Sequence, residues 1–335
     1  MITPTLPLHP TSHVAYRPPS GRNQLVRKCS PRPRFPIYRS LYEVLETAPT
    51  IPFDNSARLV FFGDCHRGAG DWSDQFLCNK SIYCQALTYY LDHQFTYIEL
   101  GDGDELWKSG SGAAIRQAHR EVFALLRYFH RDGRLYKVWG NHDVISGEAN
   151  PARQSNNGNH DRPASALQES SPDIQAHEGL LLKYLPSGTQ LLAVHGHQVD
   201  LLSSRLSTLS RLIVGSFWKQ MQRCGFRDPT SPAQNHAVRN RLERRIARWV
   251  KDTRRMVLCG HTHRPVFPQA GQVPYFNVGS CIYPGSITCI EICNGDIALV
   301  KWHMSPGLRD NSQSRLARTL LAAPRHLPDC ANWAD

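Results

Sequence analysis

The sequence predicts an α/β fold, and three observations carry that prediction. Five short apolar runs each close on a polar cluster, helical segments alternate with them, and Gly-punctuated strand-like runs follow near the C-terminus. The first run is Arg58-Leu59-Val60-Phe61-Phe62-Gly63-Asp64, and the others are Phe95 to Asp102, Leu135 to Asp143, Gln190 to His197 and Met256 to His263. Strands that end alike on polar residues place a functional site along one edge of an α/β sandwich.

Residues 1–50 read as a basic, Pro-rich, disordered tail. The first forty carry eight prolines, seven cations (Arg17, Arg22, Arg27, Lys28, Arg32, Arg34, Arg39) and no acid, a composition that cannot bury enough apolar surface to order itself. The catalytic domain spans 51–305, opening near Ser56 or slightly earlier with a helical turn from Leu41 to Thr47. Gln75 to His93 and Ala113 to Arg131 are helical segments. The Ser, Asn, Gly and Pro-rich stretch 146–176 has no periodicity and reads as a flexible surface loop. In 201–253, Leu202, Leu206, Leu209, Ile213 and Phe217 recur at helical spacing, as do Val238, Leu242, Ile246 and Trp249. That stretch is expected to be an αα-hairpin cap. The runs Tyr275 to Val278, Ile287 to Ile292 and Ile297 to Trp302 suit a second sheet, and 306–335 read as a poorly ordered C-terminal tail.

A chain of 335 residues, 41% hydrophobic and 20% charged, holds one catalytic domain with insertions. Its net charge of +11 falls to +4 once the seven N-terminal cations are set aside. The remainder suits a protein acting on small anions and gives no strong nucleic-acid signal. Of the ten cysteines, Cys65, Cys78, Cys84, Cys259, Cys281, Cys289 and Cys293 lie in apolar or strand-like stretches without disulfide-framework spacing. They read as buried thiols in a reducing compartment. No apolar run approaches the ~20 residues of a membrane span and no secretory leader is legible, so a cytoplasmic location is expected.

The polar clusters are Asp64-Cys65-His66, Gly101-Asp102-Gly103-Asp104-Glu105, Gly140-Asn141-His142-Asp143, His195-Gly196-His197 and Gly260-His261-Thr262-His263. Each offers hard or borderline donors, and adjacent glycines let the backbone turn sharply. If the segments are extended, residues i and i+2 share a side, so Asp64 and His66, like His261 and His263, are expected to converge by strand alternation. One such cluster is weak evidence; five in series, each after a strand, point to a centre for two divalent ions.

In these motifs the chain resembles the calcineurin-like metallophosphoesterases, whose pattern is Asp-x-His, Gly-Asp-x-x-acid, Gly-Asn-His-acid, a His-Gly element and Gly-His-x-His. The resemblance spans about Leu59 to Trp302 and implies an α/β/β/α sandwich of two mixed sheets flanked by helices, with 201–253 as a helical cap insertion. It implies that Asp64, His66 and His263 bind one metal, that Asn141, His195 and His261 bind the other, and that Asp102 bridges them. His142 matches the catalytic histidine, oriented by Glu105, in a hydrolysis carried out by a metal-bridging hydroxide. His195 and His197 compete for the fourth ligand position; the family pattern favours His195 and leaves His197 as a substrate contact. Mn²⁺ foremost, with Fe or Zn²⁺ also admissible, suits these donors.

The run Leu-Gly-Asp-Gly-Asp-Glu-Leu-Trp from Leu100 to Trp107 is closest in style to UDP-diacylglucosamine pyrophosphatases. It lacks the Asp-Arg-Gly continuation of protein Ser/Thr phosphatases. Against the former, the cap is more basic and His197 stands where an acid is common. A phosphorylated small molecule is thus the expected substrate, with a phosphoprotein as the alternative and a catalytically silent scaffold of the same fold as a further one. Arg67 and Arg264, each directly after a metal motif, are candidate phosphate grips. Nothing in the sequence fixes the oligomeric state.

Overall fold

The computed structural model describes residues 38–109, 111–143, 174–199, 235–305 and 315–333. In chain order the elements are helix α1 (Arg39–Thr47), strands β1 (Thr50–Phe53) and β2 (Arg58–Phe62), helix α2 (Lys80–Asp92), strand β3 (Thr96–Leu100), and helices α3 (Leu106–Ser109), α4 (Gly112–Ala118) and α5 (Arg120–Arg131). Strands β4 (Leu135–Val138), β5 (Ala176–His177), β6 (Gly179–Tyr184) and β7 (Gln190–Val194) follow, then helix α6 (His236–Thr253). The remainder is β8 (Met256–Cys259), β9 (Tyr275–Asn277), β10 (Ser286–Cys293), β11 (Asp296–Ser305), β12 (Arg315–Leu320), β13 (Arg325–His326) and helix α7 (Leu327–Ala331).

Two mixed sheets result. One runs β1-β6-β7-β8-β9, and the other runs β12-β11-β10-β2-β3-β4-β5 with β13 paired to β11. Alternation along β2 shows why they stack: Leu59 and Phe61 turn toward the first sheet, packing with Leu180, Leu258 and Phe276. Val60 and Phe62 turn the other way, into the side chains of α2 and α5 such as Tyr90 and Leu126. A third apolar layer joins Leu192, Val194 and Val257 of the first sheet to Leu41 and Val44 of α1 and Leu242, Ile246 and Trp249 of α6. The layers therefore run helix, sheet, sheet, helix, as expected from the sequence.

Within the second sheet β2, β3 and β4 are parallel neighbours, and within the first β7 and β8 are parallel. All five end at the same edge of the sandwich, and each of the five polar clusters lies just past one of them. The expected helix Ala113 to Arg131 is split at His119, whose Nε2 lies 2.8 Å from the Asp74 carboxylate.

Several expectations need correction. Arg39–Thr47 is a helix that contains the expected turn from Leu41 to Thr47, and Leu41 and Val44 anchor it in the core. The ordered chain thus begins within the stretch read as tail and continues into Thr50–Phe53, a strand paired with β6. The C-terminal stretch likewise contains β12, paired antiparallel over six residues with β11, and Arg318 Nε donates to Glu291 at 2.9 Å. Residues Arg315–Leu320 form an exposed edge strand, so they show no apolar alternation to read. Strands β1 and β6 went unread, being short or lacking a polar terminus. Cys78 is exposed, contrary to its expected burial, though all eight described cysteines are free thiols. Residues 201–234 of the expected cap and 146–173 of the expected loop lie outside the described residues. No helix among the described residues is long and apolar enough to cross a membrane.

Candidate metal centre

The five loops bring together the residues singled out from their motifs, but strand alternation is not the means. Asp64 and His66 have φ of 50° and 49°, Asp102 of 50°, and His261 and His263 of 65° and 56°. Among the described residues only three other non-glycine residues have positive φ. The left-handed region is unfavourable for residues bearing a Cβ, so strain is concentrated where these side chains must aim inward. Glycine enables the close approach at two places. A Cβ at Gly140 would meet the Asp102 carboxylate, and one at Gly260 would meet that of Asp64.

One donor group joins Asp64, His66 and His263, with one ligand atom from each within 4.8 Å of the others. His66 Nε2 and His263 Nε2 lie 3.2 Å apart, and Asp64 Oδ1 is 3.2 Å from His263 Nε2. A second group joins Asp102, His195 and His261 within the same limit. Asp102 lies between the two: its Oδ2 is 3.2 Å from His195 Nε2 and 3.7 Å from His66 Nε2. Asn141 Oδ1 is 3.2 Å from His195 Nε2, which adds an amide oxygen to the second group. His195 Nδ1 donates to the Leu100 carbonyl at 2.9 Å, which turns the bare Nε2 inward. His197 begins the short turn after Gly196, with its ring 5.4 Å from that of His195. It belongs to neither donor group, and Gly196, at φ 114°, removes the shared-strand geometry that made the two histidines competitors.

These residues fit divalent cations. Asp64 Oδ1 is buried and accepts no hydrogen bond among the described residues, although it faces two imidazole nitrogens. An ionised oxygen left without a donor is costly unless a cation completes it. The donor set of imidazole, carboxylate and amide without thiolate is that of Mn, Fe or Zn sites.

A third group shares Glu105. His66 Nδ1 lies 3.0 Å from its Oε2 and His142 Nδ1 2.7 Å from its Oε1. The two imidazoles on this one carboxylate titrate in opposite directions. Burial pushes His66 below its ordinary value despite Glu105. For His142 burial acts the same way but is outweighed by Glu105 and Asp102, so its value rises. Burial alone would raise the Asp102 carboxyl, yet His195 and His142 hold it well below the usual range. Glu105 is likewise held well below it, burial being outweighed by His142 and Lys108. One imidazole is thus suited to ligate as a neutral base and the other to carry a proton. The Trp107 ring packs 5.0 Å from that of His142, and the His142 backbone N–H donates to Asp102 Oδ1 at 2.8 Å.

The two arginines, both expected as phosphate grips, differ from one another. Arg67 is fully buried, donating from Nε to Asp104 and from Nη2 to Glu99, both at 2.8 Å. It braces the loops from beneath and cannot grip a phosphate. Arg264 is half-exposed and donates to Glu243 of α6 at 2.6 Å.

Sequence reading missed Asn277, at the end of β9. Its Nδ2 donates to the Gly260 carbonyl at 2.7 Å and to Thr262 Oγ1 at 3.1 Å, bracing the loop that carries His261 and His263. Glu99 and Lys137 were missed too. Their signal was a charge inside each of two otherwise strand-like runs.

The chain matches the Calcineurin-like phosphoesterase superfamily domain over residues 114–295, more than half its length. The matched span holds Asn141, His142, His195, His261 and His263; Asp64, His66, Asp102 and Glu105 precede it. No curated protein matches the chain. Among solved structures, vacuolar protein sorting 29 from Cryptosporidium parvum is similar at 14% identity, over 81% of this chain and 100% of its own, with a TM-score of 0.36. The cold-active protein-tyrosine phosphatase of a psychrophilic Shewanella species is similar at 12% identity, over 81% of this chain and 82% of its own, with a TM-score of 0.36.

Proposed function

The chain belongs to the calcineurin-like phosphoesterase superfamily, and on that premise we propose that it hydrolyses a phosphate ester or diphosphate at a centre of two divalent metal ions. The observation that carries the reading is the pair of three-residue donor groups with the Asp102 carboxylate reaching toward both. Asp64, His66 and His263 would hold one ion, Asn141, His195 and His261 the other, and Asp102 would be shared. Mn²⁺ is the leading candidate, with Fe or Zn²⁺ as alternatives. When bound, the pair would supply a water of lowered pKa and neutralise the phosphoryl oxygens.

The remaining chemistry belongs to side chains of the chain. His142 holds its Nδ1 proton on Glu105, which leaves Nε2 to pass a proton to the oxygen that departs as the P–O bond breaks. Glu105 fixes that ring and the His66 ring at once. Trp107, packed on His142, keeps the imidazole in place. The Leu100 to Trp107 run favours a small diphosphate, as in UDP-diacylglucosamine pyrophosphatases, over a phosphoprotein. Arg264, which follows His263 in the chain, and His197, whose ring lies 5.4 Å from that of His195, would contact that substrate.

The test is metal content by mass spectrometry together with hydrolysis of bis-p-nitrophenyl phosphate and p-nitrophenyl phosphate in Mn²⁺, for wild type and Asp102→Ala. The expected result is about two metals per chain. Turnover should fall on the order of a thousandfold in the variant, the effect of several kcal/mol of lost charge stabilisation. Metal-free, inactive wild type would favour a scaffold instead, and preference for the monoester would favour the phosphoprotein alternative.

A further inference from the structure

Beneath the centre lies a cluster of buried charges that the chemistry above does not use. Glu99 of β3 and Lys137 of β4 are register partners in the parallel ladder, and Lys137 Nζ donates to Glu99 Oε1 at 2.8 Å. Glu99 Oε2 accepts from Arg67 Nη2 at 2.8 Å, and Arg67 Nε reaches Asp104 at 2.8 Å. Lys137 also lies 3.3 Å from Asp143 Oδ1. Asp143 in turn accepts from the Asp104 N–H at 3.0 Å and the Gly140 N–H at 2.9 Å. All five side chains are essentially without solvent exposure.

Stability alone is a poor reason for such a cluster, because well-packed apolar side chains of similar volume would serve a sheet as well or better. Where the charges lead is informative. From one Glu–Lys pair in the sheet, the bonds run into the loop holding His66, the loop holding Asp102 and Glu105, and the loop holding Asn141 and His142. Backbone bonds close the same circuit: the His66 N–H donates to the Asp102 carbonyl at 2.9 Å and the Glu105 N–H to the Arg67 carbonyl at 2.9 Å. We propose that the buried Glu99–Lys137 pair, acting through Arg67 and Asp143, sets the spacing of the three loops that carry His66, Asp102 and His142, and so is a positioning element of the metal centre. The inference rests on the phosphoesterase reading above.

The test uses the full chain with Co²⁺ as probe, read by its visible absorption and by titration, alongside kcat and KM on bis-p-nitrophenyl phosphate. Glu99→Gln should weaken Co²⁺ binding and lower kcat each by about tenfold or more, the usual effect of removing a group that orients metal ligands, with KM within about twofold. The deciding variant is Glu99→Leu with Lys137→Met, which replaces the pair by apolar volume and remains decisive where the single change fails to fold. It should melt near or above the wild type yet keep an altered Co²⁺ spectrum and a low kcat. If its spectrum and Co²⁺ affinity match the wild type, the pair only packs the sheet and the proposal is overturned. The cobalt readings need no turnover. A wild type that binds Co²⁺ but cleaves neither ester therefore counts against the phosphoesterase reading alone, and one that binds no Co²⁺ overturns both.

Discussion

The two sheets support their halves of the centre by different means. The loops after β2, β3 and β4 rest on formal charges, with Glu99, Arg67, Asp104, Lys137 and Asp143 sealed beneath them. The loop after β8 is braced by a neutral amide, Asn277, beside the Asp64 carboxylate that accepts from the His261 N–H at 2.8 Å, and the His195 ring is held by a backbone carbonyl. A charged brace is strong only while every member keeps its ionisation state, whereas an amide brace does not titrate. The Glu99 cluster is thus conditional on pH, and the Asn277 brace is not.

The comparison is broken most sharply on the charged side. His142→Ala should leave metal content unchanged and cut kcat by about 10²- to 10⁴-fold, the range of a positioned acid–base group; unchanged turnover would remove that role. At the Asn277 brace, Asn277→Ala should cut turnover by about tenfold and cost about 0.5–1.5 kcal/mol of stability, since the Gly260 carbonyl loses one donor and keeps the Thr262 N–H. Chemical denaturation followed alongside kcat checks both.

Acid sharpens the contrast further. Burial alone would raise Glu99, but Arg67 and Lys137 outweigh it and bring its carboxyl down to about 2 from an ordinary 4.5. A depressed folded-state value means that its stabilisation is present above pH 4.5 and is lost as pH falls toward 2. Stability measured across that window should drop less steeply in Glu99→Gln than in wild type, whereas Asn277→Ala should shift the curve without changing its slope. The smallest effect is expected at Arg264→Ala: a half-exposed ion pair contributes about 1 kcal/mol or less, and KM should move at most a few-fold. A large rise in KM would make Arg264 the principal phosphate grip rather than a peripheral contact.

Most of the centre was legible because its residues follow apolar runs whose ends are easy to read. What was not legible has physical causes. The edge strand β12 has no buried face to leave a pattern, and β1 is only four residues long. Asn277 works through amide bonds to a loop fifteen residues earlier, a contact that no local spacing encodes. Arg67 stands beside a metal motif and reads as a phosphate grip, but its partners Glu99 and Asp104 lie more than thirty residues away. Convergence of Asp64 with His66 was anticipated with the wrong geometry, since alternation cannot reveal two successive left-handed bends.

Those bends have a consequence for how the protein would respond to selection. At positions 64, 66, 102, 261 and 263 the backbone is held where glycine is more at ease than the residue present. A library screened only for heat resistance in the absence of metal should therefore collect glycines first at 261 and 263 rather than at 64 and 102, whose carboxylates accept the His261 and His142 N–H groups. Its most durable members would be the ones that had given up binding metal.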